Sequence, residues 1–279
     1  MTRAVVVVPC YNEARRLDAA AIEAFGRRTH DVELLFVNDG SRDETLELLE
    51  GLHRSNPRAF SFLHLAKNGG KAEAVRQGVL LALRSEPDYV GFWDADLATP
   101  LEDIEAFRRA LDVHSDIEVV IGTRIGLLGH RIERRPARRV LGRLFARVAS
   151  TTLGTSVFDT QCGAKLFRSS PLLEYCFARP FLTRWIFDVE IFARMVQLSR
   201  AAVMRPLREV VYELPLDAWR DVAGSTLKRG DFVKAVGELA AIYWSYLRPG
   251  AAPVRPLPLA RAHLESTLGP TRTGEQRAA

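Results

Sequence analysis

Two aspartates stand two positions apart in Asp94-Ala95-Asp96, directly after the apolar run Tyr89-Val90-Gly91-Phe92-Trp93. In extended backbone, residues i and i+2 point to the same side, so both carboxylates face one place. Hard oxygen ligands so arranged suit Mg2+ or Mn2+, whose remaining shell comes from water and a substrate phosphate. Without positive charge between them the two carboxylates repel. Two more polar clusters close apolar runs: Pro9-Cys10-Tyr11-Asn12-Glu13 after Val5 to Val8, and Asn38-Asp39-Gly40-Ser41 after Leu34 to Val37. Helix caps and turns are the ordinary use of such residues; for Ser41 that use is as good a reading as a functional one.

The elements that must hold these clusters alternate through the first 122 residues. Val5 to Val8 is a β-branched run suited to a strand buried on both faces. A helix is predicted over Glu13 to Phe25, then a strand over Leu34 to Val37. Ser41-x-x-Glu44 has the spacing of a capping box and opens a helix to Leu52. Strands follow at Phe60–Leu65, Tyr89–Trp93 and Glu118–Ile121, with helices at Lys71–Leu83 and, through Pro100, Leu101–Leu111. Repeated strand-then-helix units imply a mostly parallel α/β sheet with helices on both faces. In such a sheet ligands bind beyond the carboxyl ends of the strands, which is where all three clusters fall. Beyond it the rhythm breaks. A loop is expected over Gly126–Pro136, helices over Ala137–Thr151, Phe187–Leu198 and Phe232–Leu247, and short strands at Lys165–Phe167 and Glu209–Leu214.

Composition narrows the class. A chain of 279 residues, 47% hydrophobic and 26% charged, carries a sizeable core and is not a disordered polymer. Cys10, Cys162 and Cys176 have no C-x-x-C spacing, so neither a disulfide framework nor a thiolate zinc site is indicated, and a reducing compartment is the simplest reading. No apolar run reaches the ~20 residues of a membrane span. From Pro249 the chain holds five of its 14 prolines, and 249–279 reads as a disordered tail. Six scattered histidines receive no role.

Pro9 to Glu13, Asn38 to Ser41 and Asp94 to Asp96, taken together, resemble the motifs of family 2 glycosyltransferases, which have the GT-A fold and use nucleotide-sugar donors. Asp159-Thr160-Gln161-Cys162-Gly163, Lys165-Leu166-Phe167 and Phe187-Asp188-Val189-Glu190 are similar to the dolichyl-phosphate β-glucosyltransferase branch and its polyprenyl-phosphate relatives. The resemblance spans about residues 4 to 247. It implies one GT-A domain over 1–248, with a Rossmann-like nucleotide-sugar half (1–123) and an acceptor half (124–248). Pro9, Tyr11 and Glu13 would line the base and ribose pocket, and Asp39, with Gly40, would contact base or ribose. Lys71 would lie near the nucleotide at a helix N-terminus. Asp94 and Ala95 would face ribose or donor sugar, Asp96 with Asp94 would hold Mg2+ or Mn2+, and Arg124 would reach the phosphates. Gln161 and Gly163 would sit at the donor sugar, Gly163 letting backbone approach it closely. Ala98, where the mannosyl branch has Gln, points to glucose. Asn38 departs from a common Asp, and Lys228 is displaced from a diphosphate-binding position.

The implied reaction is an inverting transfer of a hexose, glucose first, from a nucleotide sugar, UDP-glucose first, to a polyprenyl phosphate at the cytoplasmic membrane face. A soluble or glycan acceptor is the alternative. A hydroxyl acceptor would need a base, for which Asp188 and Asp159 are candidates; Asp188 and Glu190, at i and i+2, do not share a helix face. Trp185 stacks on sugar or packs in the core. The Phe232–Leu247 helix, with Tyr243 and Trp244 flanked by basic residues, fits a membrane interface or ordinary core packing. A dehalogenase-type phosphatase would want Thr or Val at 98 and its Asp pair on the first strand. No nucleic-acid-reading motif is present. Eight arginines lie from Arg124 to Arg147 against Glu133 alone, so the net charge of +5 is local. Arg131, Arg134 and Arg135 suit a lid over an anionic acceptor or lipid; Arg139, Arg143 and Arg147 suit a solvated helix face.

Overall fold

The computed structural model describes residues 2–125, 128–133, 146–154, 159–220 and 229–251. Strand β1 (Ala4–Cys10) is central, as its unbroken valines require. It pairs in parallel with β2 (Val32–Asp39) on one side and β4 (Tyr89–Trp93) on the other. β3 (Phe60–Leu65) extends the sheet beyond β2. Alternate side chains enter different cores: Val5 and Val7 pack in one, Val6 and Val8 in the other, all 1% exposed or less. Each such burial stabilises by about 1.5–3 kcal/mol relative to exposure.

The helices cover both faces. α1 (Ala19–Arg28), α2 (Thr45–Ser55) and α4 (Asp103–Val113) bury Ile22, Leu49 and Phe107 in the core of Val6 and Val8. α3 (Lys71–Leu83) packs on the other face. β5 (Val119–Thr123) and β6 (Arg131–Glu133) follow, then α5 (residues 146–153). β7 (Ala164–Arg168), α6 (Pro171–Ala178), α7 (Phe187–Arg200), the short α8 (Leu207–Val210), β8 (Val211–Pro215), β9 (Ala218–Arg220) and α9 (Arg229–Ile242) complete the elements of the described residues, with a π-helical turn at Tyr243–Leu247. The sheet order is β3-β2-β1-β4-β7-β5-β8, while β6 and β9 form a separate parallel pair.

β7 runs antiparallel between β4 and β5. Gly91 permits this: a Cβ there would run into the Lys165 carbonyl. The reversed direction brings the start of β7 beside the carboxyl end of β4, with Ala164 opposite Trp93. The segment 159–163 therefore arrives at the same sheet edge as Asp94 to Asp96.

Several local expectations are corrected. α1 begins at Ala19, not Glu13, because Glu13 to Leu17 form a turn and Asp18 caps the helix by accepting from Ala21 N–H at 3.0 Å. The capping box at Ser41 does not form: Asp43 accepts from Thr45 N–H and Oγ1–H, and Ser41 Oγ accepts from Asn12 N–H. α4 starts at Asp103 rather than Leu101. Helix α6 went unread, although Ser170 caps it and Pro171 opens it.

Asp103 carries a pH signature. Burial, then Asp217 and Glu102, push its carboxyl up to about 6, and Oδ2 lacks a hydrogen-bond partner. An acid whose pKa rises on folding weakens the fold above that pKa; the loss fades as pH falls toward its unfolded value of about 3.9. Asp103→Asn is expected to be more stable than the parent at pH 8 by about 1 kcal/mol. Thermal melts should show the difference shrinking between pH 6 and pH 4.

Candidate active site

Four parallel strands end at one edge, and the loops after β1 and β2 are laced together there. Asn12, at a left-handed φ of 54°, accepts from Arg42 N–H at 2.9 Å and donates its own N–H to Ser41 Oγ at 3.0 Å. Tyr11 is left 43% exposed beside them, with Pro9 the last residue but one of β1. Glu13 is ion-paired with Arg16 at 3.1 Å through Oε1, and its Oε2 has no hydrogen-bond partner. Burial raises the Glu13 pKa; Arg16 opposes this, and Asp96, Asp43 and Asp94 add to it.

Asp39 is 3% exposed. Its two oxygens accept Gly69 N–H at 2.7 Å and Gly70 N–H at 2.8 Å. The carboxylate expected to contact base or ribose is thus turned onto the loop that precedes α3, because two fixed N–H donors neutralise it there. Gly40, at φ 63°, is packed so closely on Lys67 and Asn68 that a side chain would meet their backbone. These contacts set the direction of Lys71, the first residue of α3.

Lys71 is ion-paired with Asp94. Packing around its ammonium acts to lower its pKa, but Asp94, Asp188 and Asp96 outweigh this and hold it above the ordinary value. The chain turns sharply after Asp94: Leu97 N–H reaches Asp94 O at 3.2 Å with Leu97 at φ 50°. Asp96 Oδ1 accepts Ala98 N–H at 3.1 Å, and Trp93 Nε1 donates to Thr99 O at 3.0 Å. Burial and then Asp94 raise the Asp96 pKa, against Ala98 N–H, Lys71 and Arg16. Ala95 is buried below the pair.

Beyond β5, Arg124 grips Asp159 with Nε at 2.6 Å and Nη2 at 2.7 Å, and its own N–H donates to the same carboxylate. Its guanidinium lies 5.1 Å from the Trp219 ring centroid. Burial would ease its proton off; Asp159 prevents that and raises the pKa. Gly163 lies under Asp94, where any Cβ would collide with the carboxylate. The glycine makes room for a protein side chain, a reason different from the expected approach to sugar. Gln161 Nε2 has no hydrogen-bond partner. Burial pushes the Cys162 thiol up to about 11, so it serves as a small apolar filler.

Under this floor, Lys165 is fully buried and donates to Cys162 O at 2.6 Å and to Asp188 Oδ1 at 2.5 Å. Glu190, 0% exposed, accepts from Leu182 N–H, Thr183 N–H and Oγ1–H, Arg194 and Tyr246 OH. It ties a loop to two helices and has no part at the edge. Trp185 is 42% exposed, which corrects its core-packing reading. Lys165, named in the sequence only as part of a motif, has a role there that its type did not assign, and Trp219 and Arg220, whose N–H reaches Ala98 O at 3.3 Å, carried no expectation at all. A lysine inside the apolar run Ala164–Phe167 was the available signal for the first. Arg134, Arg135, the segment 224–228 and the tail beyond 251 lie outside the described residues.

The edge thus holds Glu13, Asp94 and Asp96 against Lys71 and Arg124. Among the described residues no group of three His, Cys, Asp or Glu is poised to hold a metal. Two carboxylates at one turn, the second with its proton affinity raised by burial and by the first, nevertheless fit a hard divalent cation whose shell is finished by a ligand phosphate and water.

Comparison with known proteins follows the same lines. The model of glycosyl transferase family 2 matches residues 5–176. The dolichyl-phosphate beta-glucosyltransferase of Saccharomyces cerevisiae is 32% identical over 270 aligned positions, covering 87% of this chain and 74% of its own. That of Homo sapiens is 28% identical, covering 88% and 72%. Among solved structures, glucosyl-3-phosphoglycerate synthase from Mycobacterium tuberculosis with uridine diphosphate superposes with a TM-score of 0.61 at 15% identity, over 94% of this chain and 92% of that one. The same enzyme with Mn2+, uridine diphosphate and its product gives 0.60 at 17% identity. The shared architecture is the GT-A type.

Proposed function

Because the chain belongs to glycosyl transferase family 2, we propose that it transfers glucose from UDP-glucose to a polyprenyl or dolichyl phosphate, with inversion, at the cytoplasmic face of a membrane. One observation carries the acceptor. Both candidate bases are already bound to cations, Asp159 to Arg124 and Asp188 to Lys165. An acceptor that must lose a proton is poorly served by them. A phosphate monoester is ionised near neutral pH, its second pKa being ~6, and attacks the anomeric carbon unaided.

The remaining roles follow from position. Tyr11, Pro9 and Glu13 frame the nucleoside side of the edge. Arg124, held by Asp159, presents fixed positive charge to the diphosphate, and Lys71 adds a second cation to answer the charge that develops as UDP leaves. Mg2+ or Mn2+, held by Asp96 and Asp94, would supply Lewis-acid neutralisation of that leaving group. Asp159 positions Arg124, and Gly163 gives Asp94 its place. Gly163→Ala is expected to displace Asp94 and lower kcat/KM for the nucleotide sugar about 10²-fold, with the melting temperature close to the parent's.

Membrane contact is supported by one surface. Leu182, Trp185, Val236, Tyr243 and Trp244 are exposed, and Arg248 stacks on Trp244 at 5.3 Å. Glu238 holds the two segments together by accepting the N–H groups of Arg184, Trp185 and Ile186. Exposed aromatics with basic flanks suit an interfacial seat. No described helix is long and apolar enough to cross a membrane.

The test is transfer of radiolabel from UDP-glucose and GDP-mannose to dolichyl phosphate, dolichol and soluble sugars, with Mg2+ or Mn2+. Lipid-phosphate-dependent transfer from UDP-glucose is expected. Equal transfer without lipid phosphate would overturn the acceptor assignment.

A further inference from the structure

Asp94 and Asp96 close the fourth strand with two carboxylates, and Lys71 answers the first of them. Its ammonium pairs with Asp94 Oδ1 and lies 5.9 Å from the Phe187 ring centroid. Its backbone origin is fixed from behind. Asp39 holds Gly69 N–H and Gly70 N–H, and Gly70 keeps a φ of 89° that other residues avoid. Yet the side chain itself is 41% exposed on a long stem. Asp188 lies within electrostatic reach of the same ammonium. Lys71 thus has anionic neighbours on two sides, Asp94 and Asp96 in the candidate metal pair and Asp188 on α7.

We propose that Lys71 competes with a divalent cation for Asp94, and that the diphosphate of a nucleotide draws it away. An ammonium and a divalent ion cannot both sit against the same carboxylate oxygen, since like charges so close repel strongly. Once released, the ammonium has diphosphate oxygens and Asp188 to turn to. Metal and nucleotide then favour one another's binding, and by linkage the coupling is reciprocal. Each alone binds poorly, because each alone leaves a charge of this chain unanswered. The inference rests on the reading of Asp94 and Asp96 as the metal pair.

The test is binding, not turnover. Protein-bound Mn2+ is measured by electron paramagnetic resonance on the full chain, alone and with UDP, for the parent and for Lys71→Met. The parent should bind Mn2+ weakly alone and more tightly with UDP. In Lys71→Met, Mn2+ alone should bind about tenfold tighter or more, and the gain from UDP should shrink by a similar factor. Lys71→Gln, a second neutral variant, should behave alike, with melting curves verifying both folds. Unchanged or weaker Mn2+ binding in both variants overturns the proposal. Absence of Mn2+ binding in the parent even with UDP defeats the metal reading itself, and this inference with it.

Discussion

Asp96→Asn is expected to lower kcat by about 10³-fold while leaving the protein at least as stable as the parent. The two halves of that result have one cause. Asp96 keeps its charge against burial and against Asp94, with one modest hydrogen bond from Ala98 N–H at 3.1 Å. A carboxylate whose pKa is raised on folding is held at the expense of the fold. Its neutral isostere relieves the repulsion and keeps the shape. Turnover with saturating Mg2+ or Mn2+, set beside a thermal melt at pH 8, checks both halves. Full activity would remove Asp96 from the metal assignment. Lost activity with a lower melting temperature would mean that the side chain serves the loop instead.

The second large effect falls on Asp188. Asp188→Asn leaves the Lys165 ammonium fully buried without its anion, a loss of about 3–5 kcal/mol for a broken buried pair. Denaturant melts should show it. Lys165→Met in the same chain should restore most of that stability, because it removes the buried charge that Asp188→Asn leaves uncompensated. The double variant then separates two roles. If the acceptor is a phosphate and needs no base, its kcat with lipid phosphate should return to within about tenfold of the parent. A folded double variant still 10²-fold or more slower would make Asp188 a general base.

Much of the edge was legible because it is local. Val5 to Val8, Gly69-Gly70 before Lys71, and the Asp94–Asp96 turn each declare themselves within a few residues. α3 and the strands Phe60–Leu65 and Tyr89–Trp93 carry the limits read from the sequence. Cap residues were harder. Asp18 and Ser41 are both good caps by type, and only the laced loops decide that one caps α1 while the other serves Asn12. The remainder was tertiary. The grip of Arg124 on Asp159 spans 35 positions. The attachment of Asp39 to Gly69 and Gly70 depends on which loop β3 returns. The apolar run around Lys165 is the one local hint that it is buried; the antiparallel placement of β7 puts it there.

That placement also bears on how the protein is made. β5 pairs with β7 and β8, and not with β4. During synthesis, β3, β2, β1 and β4 can assemble as soon as they emerge, since each has a partner within the first 93 residues. β5 leaves the ribosome before either of its partners exists. It must wait, apolar and unpaired, until residue 168 has been translated, a delay of the kind that invites chaperone binding. A nascent chain stopped short of β7 should therefore be protease-sensitive around residues 119–123 and resistant in β1 to β4. It would also lack Gly163, Asp159 and Lys165 together, so the catalytic edge cannot exist in a half-made chain.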